Sequence, residues 1–267
     1  MTTHHGDVGR GFTQGAGEYD ELLARNAEGA RRLIAAIPDG DHAEVLDVGC
    51  GTGFASLAFA ERFRPRHIVG VDASEGMLEV FRAKTAGLAG VDVELRQADV
   101  TAMGVPDGSF DAVISGMAFH WFPDKPAAMR AMAAALRPGG VLALLMSGRG
   151  SDFEFREVLR GIRPPVPAHY DATFDLVQRD VPEIEALLAE AGLEQVDVWM
   201  ERRESTVSPE AYLGRMRVTA GHVSDGIPDA EMVELGARIA EATMAAAGPD
   251  GFRYTFNKLY AIAHRPA

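Results

Sequence analysis

Three glycines at alternate positions close an apolar run in the segment Val45-Leu46-Asp47-Val48-Gly49-Cys50-Gly51-Thr52-Gly53. An apolar run broken by glycines reads as a buried strand that turns sharply into a helix. Glycine suits such a turn because it accepts positive φ and leaves bare backbone against which a ligand can lie. In doubly wound α/β folds, a Gly-rich turn between strand and helix is where a nucleotide-like ligand is held.

The flanking pattern supports that fold. Apolar residues from Tyr19 to Ile37 recur at helical spacing and stop at Pro38 and Gly40. Strand Glu44–Val48 is followed by a helix from Phe54 to Phe63, then strand His67–Val71 ending in Asp72. Ser74 is a good N-cap for the next helix, with Glu75 in its first turn and Met77, Leu78 and Phe81 on one face. A third strand spans Val91–Leu95, ending near Asp99, and a fourth spans Phe110–Ser115. Asp124 caps a helix to Leu136, Arg137-Pro138-Gly139-Gly140 breaks it, and a fifth strand runs Val141–Met146. This alternation is the signature of a mostly parallel sheet with helices on both faces.

Beyond it the pattern loosens. Residues 148–181 hold scattered aromatics and a Pro-rich run. Pro182 opens a short helix, Val196–Met200 reads as a strand, Pro209–Val218 and Asp229–Ala247 as helices, and Phe252–Ala263 as a last strand. The expected architecture is a doubly wound, mostly parallel seven-stranded α/β sheet in a single domain, residues 1–267. Its parts are an N-terminal lid (1–18), a core (19–147), two inserts over the substrate end (148–181 and 202–250) and the closing strand (252–263).

The formal net charge is −13, which disfavours nucleic acid and anionic membrane as partners. With one cysteine and no apolar run near the roughly 20 residues of a membrane span, the expected location is the cytoplasm. Oligomeric state is not legible. Neither are metal sites, because no His pair has ligand spacing.

The glycines differ from the dinucleotide fingerprint G-x-G-x-x-G, which requires Gly or Ala where this chain has Phe54. An acid two residues before the first glycine suits a cationic group better than a pyrophosphate. Asp72 lies about 20 residues on, where a carboxylate can accept both ribose hydroxyls, and Asp99 ends the third strand. These positions describe a ligand with adenine, ribose and an amino-bearing tail. Asp47 has two open readings, an anchor for backbone amides or an indirect ligand role. Cys50 reads as a space-filling residue among the glycines.

Five segments in order resemble class I S-adenosylmethionine-dependent methyltransferases of the type 11, small-molecule group: Val45–Gly53, Val71–Ser74, Gln97–Asp99, Phe110–Val113 and Leu136–Gly140. The resemblance implies that Gly49, Cys50, Gly51 and Gly53 line the methionine part of S-adenosyl-L-methionine and that Asp72 binds its ribose. It implies that Ala73 and Met77 flank adenine, that Asp99 and Val100 hold the edge of adenine, and that Ser115 sits beside the cofactor. S-adenosyl-L-homocysteine would be the product. The stretch from Phe12 to Asp20 resembles a lid, with Phe12, Gln14 and Tyr19 as candidates to touch the ligand.

The loop Met117-Ala118-Phe119-His120-Trp121-Phe122 leaves the carboxyl end of the fourth strand and faces any ligand held there. Methyl transfer needs an aligned nucleophile, excluded water and often the removal of a proton. Met117, Phe119 and Trp121 would supply a dry wall for a partly apolar acceptor, methylated at O or C. His120 is the candidate base, with packing of the loop as its other reading. His169, Tyr170 and His222, in the inserts, are further positions able to face substrate. A protein that binds the cofactor without turnover and a dinucleotide-dependent oxidoreductase are the alternatives.

Overall fold

The computed structural model describes residues 12–13, 20, 24–167, 174–175, 177–220 and 229–267. Gln14, Tyr19, His169, Tyr170 and His222 lie outside the described residues.

Helix α1 (Ala24–Ala36) precedes β1 (Glu44–Val48), and α2 (Phe54–Phe63) leads to β2 (His67–Asp72). Helix α3 (Glu75–Thr85), β3 (Asp92–Gln97), β4 (Phe110–Gly116), α4 (Lys125–Ala135) and β5 (Leu136–Ser147) complete the regular alternation. Then come α5 (Phe153–Gly161), α6 (Val181–Glu190), β6 (Glu194–Val207), α7 (Pro209–Ala220), α8 (Asp229–Ala246) and β7 (Phe252–His264).

The seven strands form one sheet in the order β3-β2-β1-β4-β5-β7-β6. The first five run parallel, and β7 lies antiparallel between β5 and β6. This is the expected doubly wound sheet. Strand β1 has neighbours on both sides and helices on both faces, so Val45, Leu46 and Val48 are all buried. One apolar cluster fills each face. A third cluster joins Phe155, Tyr212, Leu235, Phe252 and Tyr254 under the inserts.

Local caps follow the sequence. Ser74 Oγ accepts the Met77 N–H at 3.3 Å, and Asp124 Oδ1 accepts that of Ala127 at 2.8 Å. Asp111 is structural: its Oδ2 accepts the Glu44 N–H at 2.8 Å and its Oδ1 accepts from Arg137 at 2.6 Å.

Three boundaries differ from the sequence reading. Strand β5 starts at Leu136, so the Pro-Gly-Gly segment belongs to the strand and pairs Leu136 with Phe110. Strand β6 continues to Val207, which removes residues 202–207 from the second insert. The first insert contains α5, whose aromatics sit on a charged, nine-residue helix too short to display a clear period.

The last strand also carries a positional meaning. Strand β7 pairs with β5 only from Lys258 onward, whereas it pairs with β6 from Phe252. Residues 202–207 and 252–257 therefore form a two-stranded arm beyond the carboxyl edge of the parallel strands.

Candidate functional site

The glycine loop is built by positive φ. Gly49, Gly51 and Gly53 have φ of 69°, 53° and 90°, values that L side chains rarely adopt. The N–H groups of Gly49 and Cys50 both donate to the Val71 carbonyl, at 2.7 and 3.0 Å, which pins the loop to the end of β2. A Cβ on Gly53 would lie 2.3 Å from the Phe81 ring, so that glycine serves packing. A Cβ on Gly51 would meet nothing within 4 Å. Gly51 thus offers bare backbone to open space.

That space is a cavity open to solvent at its mouth. Gly49, Cys50, Gly51, Asp72, Ala73, Met77, Asp99 and Val100 line it, as do Phe12, Met117 and Trp121. Asp72 Oδ2 accepts the Gly51 N–H at 2.8 Å and Oδ1 accepts the Ser74 N–H at 2.9 Å. Burial raises the Asp72 pKa and these backbone donors oppose the shift. Each oxygen retains a lone pair for a ligand hydroxyl. Asp99 Oδ1 accepts the Thr101 N–H at 2.8 Å and caps the short 3₁₀ turn Val100–Ala102. Cys50 is buried with Leu78 and Phe81, and burial pushes its thiol well up, so it is a packed thiol at neutral pH.

Five expected site residues do not line the cavity. Asp47 is fully buried behind the loop. Its Oδ2 accepts both the N–H (3.1 Å) and the hydroxyl (2.6 Å) of Ser56, so it fastens β1 to α2. Desolvation raises its pKa to about 7. Gly53 packs on Phe81, as above. Ser115 is buried with its hydroxyl unbonded among the described residues. Phe119 points into the core. His120 is 3% exposed and lies against Trp121, 4.9 Å between ring centres. The 3₁₀ turn Phe119–Trp121 explains the last two: it sends both side chains inward and leaves Trp121 on the wall.

The sequence reading missed Asn26, Ala30, Phe54, Ala55, Pro123 and Leu145 in the lining. Asn26 had a signal. It shares a helical face with Ala30, Leu33 and Ile37, a polar residue heading an apolar stripe.

The described residues Phe12, Thr13 and Asp20 make contacts near the cavity. Phe12 meets Trp121 edge to face at 5.8 Å. Thr13 Oγ1 and Ser74 Oγ share a hydrogen bond of 2.8 Å. Asp20 accepts from the Thr52 hydroxyl at 2.6 Å and pairs with Lys84.

The residues present fit S-adenosyl-L-methionine. The loop presents exposed backbone, a carboxylate stands at the ribose position, and apolar residues flank the adenine position. Among the described residues the lining has carboxylates and a thiol but no lysine or arginine, which suits a cationic ligand and leaves a pyrophosphate unmatched. Among the described residues there is also no cluster able to hold a metal ion, and no helix is long and apolar enough to cross a membrane.

Known proteins agree. Residues 45–140 match the methyltransferase domain family. The chain is 28% identical over 261 residues to the malonyl-[acyl-carrier protein] O-methyltransferase of Dechloromonas aromatica, covering 97% of this chain and 94% of that protein. It is 35% identical over 127 residues to trans-aconitate 2-methyltransferase of Deinococcus radiodurans, a match that spans about half of each chain (48% and 46%). A Haemonchus contortus phosphoethanolamine N-methyltransferase, solved with phosphomonomethylethanolamine and S-adenosylhomocysteine, superposes with TM-score 0.60 at 18% identity, over 96% of this chain and 58% of that one. The sheet order, the glycine loop and these matches make the chain similar to the class I S-adenosylmethionine-dependent methyltransferases.

Proposed function

We propose that the chain methylates a carboxylate oxygen of a small, partly apolar organic acid. The observation that carries this reading is the apolar part of the cavity wall. Phe12, Phe54, Met117, Ala118, Trp121, Phe122, Pro123 and Leu145 line it, and none can take a proton. A hydroxyl or carbon acceptor needs a base within hydrogen-bond reach. A carboxylate is already ionised near neutrality and needs only to be aligned and dried. Two of the similar proteins are named for acceptors that are carboxylic acids, malonyl groups and trans-aconitate.

S-adenosylmethionine, when bound, supplies an electrophilic methyl group. The chain supplies position. Asp72, Ala73, Met77, Asp99 and Val100 hold the nucleoside half, and Gly49 to Gly51 hold the amino-acid half. Phe12 and Trp121 close the wall and exclude water. Asp47, Gly53 and Ser115 support the loop from behind, and His120 positions Trp121. We read the whole chain as one domain working in the cytoplasm, a reading that its single, buried cysteine supports.

The test is transfer from methyl-labelled S-adenosylmethionine to a panel of carboxylic acids, phenols and amines. The expected product is a methyl ester that releases labelled methanol in alkali. Label held in an alkali-stable product, with no ester formed, overturns carboxyl methylation.

A further inference from the structure

Four of the five residues from Gly49 to Gly53 commit their N–H groups inside the protein. Those of Gly49 and Cys50 donate to the Val71 carbonyl, that of Gly51 to Asp72 Oδ2, and that of Gly53 to the Cys50 carbonyl at 2.9 Å. The Thr52 hydroxyl donates to Asp20. The loop is therefore rich in acceptors and poor in donors. The amino-acid half of S-adenosylmethionine carries an ammonium and a carboxylate. Backbone carbonyls suit the ammonium, whereas the carboxylate only accepts and needs donors.

Among the described residues the lining has no lysine or arginine to meet that carboxylate. Outside the loop, two described lining side chains carry an N–H, Trp121 and Asn26. Trp121 stands towards the residues proposed to hold the nucleoside: it meets Phe12, and the adjoining Thr13 bonds Ser74, two residues past Asp72. Asn26 stands on another element. It lies one turn before Ala30 on the same face of α1. Ala30 and Ala55 both line the cavity and belong to one apolar cluster. Ala55 is in the first turn of α2, where the glycine loop runs into its helix. Asn26 thus belongs to the side of the cavity at which the amino-acid half is held.

Helix α1 is anchored at this turn. Lys258 Nζ on β7 donates to the Arg25 carbonyl at 2.8 Å. Gly29 leaves room for that contact, since a Cβ there would come within 2.6 Å of Nζ and 3.0 Å of Leu145 Cδ2. Leu145 lines the cavity as well. Asn26, next to Arg25, is therefore carried on a fixed turn, which is what a precise ligand contact requires.

We propose that Asn26 Nδ2 donates to the carboxylate of the methionine part of S-adenosylmethionine, a binding role for a neutral amide in a lining without cations. This assignment rests on the S-adenosylmethionine site and not on carboxyl methylation, so either can fail alone.

The test is calorimetry of the full chain with three ligands: S-adenosylmethionine, its decarboxylated form, which keeps the ammonium, and methylthioadenosine, which lacks the whole tail. The wild type should bind S-adenosylmethionine about ten-fold or more tightly than the decarboxylated form, the worth of a hydrogen bond to a charged group. Asn26→Ala should weaken S-adenosylmethionine by about ten-fold and leave the other two ligands within about two-fold. Asn26→Asp, of the same size, sets a negative charge against the carboxylate, and should weaken S-adenosylmethionine further while binding the decarboxylated form at least as tightly as the wild type. Asn26 is only half-buried, and unchanged methylthioadenosine affinity reports that each variant keeps its nucleoside site. Unchanged S-adenosylmethionine affinity in Asn26→Ala, or no preference in the wild type, overturns the assignment. An equal loss for S-adenosylmethionine and its decarboxylated form would make Asn26 an acceptor for the ammonium and overturns it too.

Discussion

Asp72 Oδ2 accepts the backbone N–H of Gly51 at 2.8 Å, so the carboxylate proposed to bind ribose also sets the shape of the glycine loop. Removing it acts on the cofactor twice, through the lost contact and through the loosened loop. Asp72→Ala should weaken S-adenosylmethionine binding by about 1–3 kcal/mol, the range for hydrogen bonds to a charged group. Calorimetry checks this, and unchanged affinity would remove Asp72 from the site.

Two glycines in one loop should fail differently. Gly53→Ala drives a Cβ to 2.3 Å from Phe81 at φ 90°, and should cost about 2–4 kcal/mol of stability. Gly51→Ala has open space and φ 53°, and should cost about 1 kcal/mol while placing a methyl group in the cavity. Denaturant unfolding paired with cofactor titration separates the two. Gly51→Ala should bind cofactor at least ten-fold more weakly while remaining folded, and wild-type affinity in that variant would contradict the open-backbone role.

Asp47 makes stability depend on pH. Its native pKa is raised from 3.8 to about 7 by burial, so between these values the native state binds more protons than the unfolded chain. Stability from this group is greatest below about pH 4 and falls as pH rises towards 7. A pKa raised by one corresponds to about 1.4 kcal/mol, so the fall is of order a few kcal/mol. Asp47→Asn keeps an acceptor for Ser56 and cannot ionise. Relative to wild type it should gain stability steadily from pH 4 to pH 8 in urea unfolding. A constant difference across that window would show that Asp47 does not titrate there.

His120 is buried under Trp121 and off the cavity wall. His120→Ala should lower the unfolding temperature and reduce kcat less than ten-fold, with the pH–rate profile unmoved near neutrality. Loss of a neutral limb in that profile would restore His120 as the proton acceptor.

The placement of the candidate cofactor residues was legible because strand ends and turn residues are local. Asp72, Asp99 and the glycines fall where a parallel sheet must put them. What was not legible is which way a residue faces once the chain bends. Asp47 belongs to a strand covered on both faces, and only its bond to Ser56 shows that it turns to α2. Phe119 and His120 sit in a 3₁₀ turn that buries both side chains. Helix α5 begins at Asp152, in a left-handed conformation without a capping bond, so its start carried no signal. The meeting of Gly29 with Lys258 joins positions 229 residues apart, which no local pattern can anticipate.

The arm formed by residues 202–207 and 252–257 closes with Val207 opposite Phe252. The intervening chain, with α7 and α8, therefore leaves and rejoins the sheet at one rung. Such a segment is an exchangeable cassette. It can be lengthened, shortened or replaced without altering the strand order that carries the glycine loop, and Val207 and Phe252 are its splice points.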